Sequence, residues 1–271
     1  MNKLKTELLF IGGGTMTQAM LQMIQYPGRI AVYDCCEQVL ALVKQKYNVQ
    51  IYPTLPSEIN NLQAVILAIK PQDIESACSQ SSHVLTPQCL LVSIVAGITV
   101  SQLKLFSKHQ GPIIRAMPNT PAKIGKSATV LFGQSLTDEN KKFAQSIFNQ
   151  IGKLWWIEQE ELLHAVTAIS GSGPAYLFYF MKAWQEEAEA LGLSSKLARD
   201  LIAETIQGAL VLANDNNSTL DNLLSQVISK RGTTESAINY LDHHDISLHF
   251  RQALNTAYRR SQKLSERSSN L

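Results

Sequence analysis

The chain has no long apolar run and no large excess of one charge, and each absence argues against one class of partner. Its longest apolar stretches, around residues 65–69 and 90–98, fall well short of the roughly 20 apolar residues that cross a bilayer as a helix. The net charge is only +2, which is too close to balance to indicate a polyanion partner. We therefore expect neither a membrane nor a nucleic acid as a partner.

Cysteine is also scarce, and its spacing argues against a disulfide framework. Four cysteines occur, of which Cys35 and Cys36 are adjacent while Cys78 and Cys89 lie far apart. No pair shows the two-residue gap of a redox or zinc motif. The first apolar run stops at the glycines of residues 12–14, too early for a signal-peptide core. The sequence thus predicts reduced thiols and a cytoplasmic location.

Short β-rich runs alternate with segments of helical period from the N-terminus to about Ile157. This alternation predicts a mostly parallel, doubly wound sheet with helices on both faces. Several runs are apolar at nearly every position, which is typical of strands buried on both sides. The predicted strands cover residues 8–12, 30–33, 49–52, 64–68, 90–95, 113–116, 129–132 and 154–157.

After Glu160 the strand-like runs stop, and the remaining sequence predicts consecutive helices. Pro174 suits the first turn of a helix that Gly192 ends. A second helix is predicted from residue 195 to about residue 213. The predicted domains are an α/β domain, residues 1–160, and an all-helical domain, residues 161–271.

The glycine-rich turn after the first predicted strand is typical of dinucleotide binding. Gly12 and Gly14 stand at the first two glycine positions of the fingerprint, and Thr17 stands at the third. The first glycine permits a tight turn, and the second lets the backbone approach a pyrophosphate at a helix N-terminus. An ordinary glycine-rich turn is the alternative. The predicted cofactor contacts in this Rossmann turn are Gly12, Gly13, Gly14, Thr15 and Met16.

Asp34 closes the second predicted strand, 22 positions after Gly12. A carboxylate there accepts hydrogen bonds from the adenosine ribose, which favours NAD over NADP because a 2′-phosphate would meet a like charge. The alternative is that Asp34 caps the helix that follows. The two roles can coexist.

Two later strand ends are predicted to contact the nicotinamide half of the cofactor. They carry glycine or proline at the carboxyl ends of strands, where parallel sheets bind ligands. Either segment could instead be a simple turn. The predicted contacts are Ala68, Ile69, Lys70, Pro71, Val95, Ala96 and Gly97.

The segment 229–235 places a glycine, two hydroxyls and a new helix start in one short turn. Amide groups of Gly232, Thr233 and Thr234 at a helix N-terminus would bind a small carboxylate. Ordinary capping of the helix by Thr233 or Thr234 is the alternative.

Five separated motifs carry a resemblance to one family. They are residues 11–16, 68–71, 117–121, 170–176 and 227–234. In their order and spacing, the chain resembles the pyrroline-5-carboxylate reductases over almost its full length. The resemblance implies reduction of 1-pyrroline-5-carboxylate to L-proline, the last step of proline biosynthesis, with hydride from a nicotinamide cofactor that is usually NADPH. It also implies a Rossmann domain followed by a helical domain that interlocks with a second subunit, in dimers that commonly form decamers.

The resemblance also suggests roles for individual residues. It implies that the loop 229–234 holds the substrate carboxylate and that Thr234 hydrogen-bonds the ring nitrogen, so Thr234 is the predicted catalytic residue. Gln226 stands where the family usually has an asparagine near the cofactor, and it is a further predicted cofactor contact. The predicted substrate contacts are Ser229, Gly232, Thr233, Thr234, Glu160 and Thr167.

The chain departs from this family's usual pattern at several positions. Arg231 replaces a glycine, and we expect its side chain to point to solvent. Lys230 stands where proline or lysine is usual, and Thr17 replaces a small residue. The segment 33–35, with Asp34 at its centre, replaces the one that receives a 2′-phosphate. We therefore expect NADH to be used unusually well beside NADPH.

Three other functions compete with this one: a different cyclic-imine reductase, a hydroxyacid dehydrogenase, and a regulator that binds nucleotide without catalysis. Hydroxyacid dehydrogenases of this architecture normally use a lysine on an interdomain helix, and Lys182 lies off the main apolar face of its helix. A regulator has no need for the carboxylate turn. The adjacent His243 and His244 cannot easily share one ion, so no metal site is predicted.

Overall fold

Eight strands form one sheet in the computed structural model, which describes residues 7–214 and 218–267. Every one of them coincides with a strand predicted from the alternating sequence, with small shifts at the ends. The strands are β1 (Glu7–Ile11), β2 (Arg29–Tyr33), β3 (Gln50–Tyr52), β4 (Leu62–Leu67), β5 (Leu90–Ser93), β6 (Ile113–Met117), β7 (Ser127–Gln134) and β8 (Gly152–Trp156).

The strand order is β3-β2-β1-β4-β5-β6-β7-β8. The first six strands of the chain are parallel, whereas β7 runs antiparallel to β6 and parallel to β8. The chain leaves β1 on one side toward β2 and returns on the other side at β4, which makes a topological switch point. Ligands of such sheets bind outside the carboxyl ends of the strands at this point. The predicted doubly wound, mostly parallel sheet is confirmed.

Strand β1 lies at the centre of the sheet and is buried along its whole length. Successive side chains of a strand point to opposite faces. Leu8 and Phe10 accordingly join the hydrophobic cluster on one face, and Leu9 and Ile11 join the cluster on the other. All four side chains are at most 1% exposed. The central strand is therefore packed on both faces, and this packing fixes the position of its carboxyl end, where a ligand can bind.

Helices cover both faces of the sheet. Helices α4 and α5 begin at capping boxes in which the hydroxyls of Thr99 and Thr137 accept hydrogen bonds from the amides of Gln102 and Asn140, an arrangement that satisfies two orphan donors at each helix start. The helices of this region are α1 (Thr15–Leu21), α2 (Glu37–Lys46), α3 (Ile74–Ser81), α4 (Val100–Ser107) and α5 (Asp138–Phe148).

Among the described residues after Glu160, the elements are helices joined by short turns, as predicted. The helix that begins at Gly173 is followed by Gly192, whose φ of +98° turns the chain. The helices are α6 (Leu162–Val166), α7 (Gly173–Ala190), α8 (Ser195–Ala213), α9 (Leu220–Val227), α10 (Thr233–His243) and α11 (Ile246–Arg267). Within the described ranges, no helix is long and apolar enough to cross a membrane.

The chain divides into two compact units. The first comprises the described residues up to Pro174 together with those from Thr256 onward, and the second comprises Ala175–Asn255. Helix α6 contacts β7, and the last turns of α11 bond to α4 and α6, so both belong to the first unit. The domain boundary near residue 160 remains a prediction. The sequence shows where strands end, but it does not show which helices return to cover them.

Candidate active site

The turn after β1 is closed by a glycine at a position where any side chain would be strained. Gly12 has φ of +101°, and a Cβ atom there would lie 2.5 Å from the carbonyl oxygen of Ala68. The amide of Ala68 donates to the carbonyl oxygen of Ile11 at 2.8 Å. Gly12 therefore forms the tight turn that the fingerprint predicts, and the turn lies directly against the end of β4.

Thr17, at the third fingerprint position, has a specific local role. Its buried hydroxyl donates to the carbonyl oxygen of Gly12 at 2.6 Å. A threonine hydroxyl is thus satisfied within the first turn of α1, and it ties the helix to the glycine turn. Gly14 begins α1 as its N-cap, and a Cβ atom there would meet nothing within 4 Å. The backbone of Gly14 faces open space, as a pyrophosphate-binding position requires.

A cavity of about 660 Å³ opens outside the carboxyl ends of β1, β2 and β4. It brings together predicted cofactor contacts from three separate parts of the sequence. Those in its lining are Gly12, Gly14, Thr15, Met16, Asp34, Ala68, Ile69 and Lys70. Gly13 instead faces the core, where a Cβ atom would lie 2.8 Å from Val39, and Pro71 begins a short 3₁₀ turn next to the cavity. A groove of about 730 Å³ opens near the amino ends of β2 and β3 and contains none of the predicted site residues.

Asp34 joins the two turns that frame this cavity. Its Oδ2 accepts from the amide of Gly13 at 2.7 Å, and its Oδ1 accepts from the amide of Cys36 at 2.8 Å. The N-cap of α2 is Cys36, so the prediction that Asp34 caps this helix is wrong. Both oxygens of Asp34 are fixed at the cavity wall, on which Lys70 is the single basic side chain within the described ranges.

The segment Val95, Ala96 and Gly97 does not line the cavity. Val95 and Gly97 are buried, and Ala96 is half-buried. A Cβ atom at Gly97, whose φ is +79°, would lie 2.6 Å from the Cβ atom of Leu264 in α11. The structure thus uses Gly97 for close packing against a helix, a contact between residues far apart in sequence.

Glu160 bonds with two other parts of the first unit. Its Oε1 accepts from the amide of Val100 at 2.7 Å and from Nη1 of Arg115 at 2.9 Å. The side chain of Arg115 is only 5% exposed. Burial lowers the pKa of Arg115, while the bond to Glu160 acts in the opposite direction. Glu160 thus joins the start of α4 to β6, and contact with the substrate remains a prediction.

A buried histidine stands next to this ion pair. Nδ1 of His164 and Oγ of Ser261 share a hydrogen bond of 2.9 Å, which ties α6 to the last turns of α11. Burial and the nearby charge of Arg115 lower the pKa of His164. Both effects favour the neutral imidazole over the opposing charges of Glu160 and Glu161, at a position that the sequence did not single out.

Thr167 opens a π-helical turn, Thr167–Gly171, between α6 and α7. Its hydroxyl donates to the carbonyl oxygen of Leu163 at 2.7 Å, and its carbonyl oxygen accepts from the amide of Ser172. Single π turns are frequent at functional sites. The predicted contact of Thr167 with substrate remains a prediction, since its hydroxyl is bonded within the helix.

The π turn also brings two of the five sequence motifs together. Nδ2 of Asn119 donates to the carbonyl oxygen of Ser170 at 2.9 Å. A Cβ atom at Gly171 would lie 2.6 Å from Cε of Met117. The start of the motif 170–176 therefore packs against the motif 117–121, a contact that sequence reasoning missed because no local signal links them.

The turn before α10 lies in the second unit. Gly232 is the N-cap of α10 and has no side-chain cap, and Thr233 and Thr234 are the first two helical residues. The prediction that a threonine caps this helix is therefore wrong. The amide of Gly232 donates to the carbonyl oxygen of Ser229 at 2.9 Å, so it is engaged in the turn rather than offered to a carboxylate. A Cβ atom at Gly232 would strike Oγ of Ser229, which explains the glycine.

Arg231 and Lys230 are both exposed in this turn, as expected for Arg231. Arg231 adopts a left-handed backbone conformation with φ of +60°. Its amide donates to Oε2 of Glu235 at 2.6 Å. Gln226, predicted near the cofactor, is exposed on α9 of the same unit.

Known proteins match the chain over nearly its whole length. A family model described as pyrroline-5-carboxylate reductase dimerisation matches residues 160–264, and one described as NADP oxidoreductase, coenzyme F420-dependent, matches residues 7–97. The pyrroline-5-carboxylate reductase of Haemophilus influenzae is 35% identical over 95% of this chain and 97% of its own length. The chain belongs to the pyrroline-5-carboxylate reductase family. The Arabidopsis thaliana reductase is 30% identical over 95% of both proteins.

Solved pyrroline-5-carboxylate reductase structures share the fold. One from Coxiella burnetii matches with a TM-score of 0.82 at 33% identity, over 96% of this chain and 99% of its own. One from Plasmodium falciparum, with NADP bound, matches with a TM-score of 0.87 at 22% identity, over 97% and 99%. The Rossmann domain and the helical region both follow the architecture of this reductase family, and the match to the dimerisation model shows that the chain self-associates.

Proposed function

We propose that this family member reduces 1-pyrroline-5-carboxylate to L-proline with hydride from a reduced nicotinamide cofactor. The full-length match to reductases of that name carries the proposal. The geometry agrees with it, because the dinucleotide turn at Gly12–Gly14 borders a cavity, and α10 begins without a side-chain cap. A related imine reductase, a hydroxyacid dehydrogenase and a regulator without catalysis remain the alternatives that an activity assay excludes.

Reduction of a cyclic imine depends mainly on positioning, since it needs no protein nucleophile and no metal. The bound cofactor supplies the hydride. The amides of Thr233 and Thr234 belong to the first turn of α10. In an α-helix, the amides of the first turn have no intrahelical acceptor and lie at the positive end of the helix dipole. They are the groups that would hold the substrate carboxylate. The hydroxyl of Thr234 would orient or protonate the ring nitrogen.

Replacement of Thr234 tests this site. We expect Thr234→Ala to lower kcat/KM for 1-pyrroline-5-carboxylate by about a hundredfold, as is typical for a group that assists proton transfer, while Thr234→Ser retains most of the activity. Thr205→Ala is a matched control, since that hydroxyl donates within α8 to the carbonyl oxygen of Leu201. Full activity of Thr234→Ala would refute the role of this hydroxyl at the ring nitrogen.

We also propose that NADH is used unusually well, although NADPH is the family's usual cofactor. The carboxylate of Asp34 is fixed at the cavity wall by two amides, where a 2′-phosphate would meet its charge. We expect similar kcat/KM values for the two cofactors. Asp34→Ser should shift the preference toward NADPH by about fivefold, the size of one exposed charge contact. A strong preference of the wild-type protein for NADPH would contradict the proposal.

The assembly and location of the protein complete the proposal. We infer an interlocked dimer with the capacity to form decamers, a cytoplasmic location, and a helical substrate and dimerisation domain that begins near residue 160. Supporting this, the dimerisation match starts at residue 160 and includes the turn 229–232. Light scattering after size-exclusion chromatography measures the number of subunits directly.

A further inference from the structure

The turn before α10 contains a backbone conformation that its sequence does not favour. Arg231 has φ of +60°, in the left-handed region where the Cβ atom of an L-residue crowds the carbonyl oxygen that follows. Glycine avoids this cost, and asparagine reduces it. Arg231 has neither advantage, and its exposed side chain leaves the backbone as the part of the residue that is constrained.

Glu235 supplies that constraint. Its Oε2 accepts from the amide of Arg231 at 2.6 Å, across the first turn of α10 and back to the preceding loop. A bond from an amide to a carboxylate is charge-assisted and stronger than one between neutral groups. The amide of Gly232 donates to the carbonyl oxygen of Ser229, so successive amides of the turn are held from two sides.

The strained residue directly precedes the groups that matter for substrate. Only Gly232 separates Arg231 from Thr233, and a Cβ atom at position 232 would lie 2.9 Å from the carbonyl oxygen of Ser229. If Arg231 relaxed to a right-handed or extended conformation, the following peptide would rotate. The amides of Thr233 and Thr234 would then be aimed differently.

We propose that Glu235 is a positioning residue that holds the turn 229–232 in the conformation needed to bind the substrate carboxylate. The inference rests on the proposed function, because it assumes that the amides of Thr233 and Thr234, which follow this turn, hold the substrate carboxylate. Glu235 does not touch the substrate in this scheme. It offsets the conformational cost of Arg231, which a glycine at position 231 would not incur.

The charge and the hydrogen bond of Glu235 have separable effects. A carboxylate in the first turn of a helix stabilises the helix through its dipole, but it repels an anionic substrate. Glu235→Gln keeps an oxygen that accepts from the amide of Arg231 and removes the charge. Glu235→Ala removes both, so only this variant frees the strained residue.

The test is a double-mutant cycle in the full-length protein, with 1-pyrroline-5-carboxylate and NADPH or NADH as substrates. We expect Glu235→Ala to raise the KM for 1-pyrroline-5-carboxylate by about tenfold. This factor corresponds to the free-energy cost of holding one residue in the left-handed conformation. The KM for the nucleotide should stay unchanged, and Glu235→Gln should keep the wild-type KM for substrate or lower it. In the background of Arg231→Gly, Glu235→Ala should have little effect, because glycine needs no external support.

Glu139→Ala is the matched control. Glu139 is an exposed carboxylate in the first turn of α5. The Glu139→Ala variant should keep the wild-type KM for 1-pyrroline-5-carboxylate and the wild-type KM for the nucleotide. An equal loss from Glu235→Ala with arginine or glycine at position 231 would overturn the proposal, as would a wild-type KM in the single variant. If Glu235→Ala fails to fold, recovery of folding and of a normal KM in the double variant supports the proposal, and continued failure refutes it.

Absence of 1-pyrroline-5-carboxylate turnover by the wild-type protein with either cofactor would refute the proposed function itself. Impaired turnover of Thr234→Ala, together with normal constants for every Glu235 variant, would leave the site in place and refute only the positioning role.

Discussion

Gly12 and Gly14 stand two residues apart, yet the protein needs them for different physical reasons. Gly12 has a positive φ and lies against the carbonyl group of Ala68, so glycine is needed there to form the tight turn after β1. Gly14 has an ordinary φ of −67° and open space around it, so a side chain there would affect only what enters the cavity. One motif thus contains a folding residue and a binding residue.

Alanine at each position should separate these roles. We expect Gly12→Ala to lower the free energy of unfolding by roughly 1–3 kcal/mol, the usual cost of a strained backbone conformation. Gly14→Ala should keep the stability of the wild type but raise the KM for the nucleotide. Thermal unfolding and steady-state kinetics measure the two effects. Equal loss of stability in both variants would contradict the distinction.

At the scale of elements, the first unit is held together by contacts that bridge long sequence separations. Glu160 connects the start of α4 to β6 through Val100 and Arg115. Gln102 donates to the carbonyl oxygen of Ser265, so the last turns of α11 lie against α4. The region after β5 is therefore connected to β6 through Glu160 and to α11 through Gln102.

Loss of the Glu160 carboxylate should mainly destabilise this arrangement. Glu160→Ala leaves the buried guanidinium of Arg115 without its partner, and we expect the free energy of unfolding to fall by about 3 kcal/mol. The exposed Glu158 is a neighbouring control, and Glu158→Ala should change little. Urea unfolding measures both. Unchanged stability with a raised KM for 1-pyrroline-5-carboxylate would instead favour direct contact between Glu160 and the substrate.

At the scale of the whole molecule, the helical unit leaves much of its apolar surface uncovered. Helix α7 has 18 residues and none of them is buried, and α8 exposes Leu210, Val211 and Leu212 by more than half. Large exposed apolar patches mark interaction surfaces. The match to a dimerisation model over residues 160–264 identifies the partner as another copy of the chain.

Local patterns in the sequence were sufficient to predict the secondary-structure elements and the dinucleotide-binding turn. Alternating apolar runs predicted all eight strands, and the spacing of Gly12, Gly14 and Asp34 predicted three parts of one cavity wall. These predictions succeed because burial on two faces and a positive φ constrain residue types directly. Five motifs spread along almost the whole chain identified the family through their order and spacing.

Only the tertiary structure decided what several of these residues contact. Asp34 bridges two amides instead of capping α2, Gly97 packs against α11, and Gly232 rather than a threonine begins α10. Each outcome depends on partners or backbone angles that a linear pattern does not specify. The sequence by itself determined the sheet, the cofactor turn and the family. The packing of distant segments decided the rest, because close contacts and backbone strain arise only after the chain has folded.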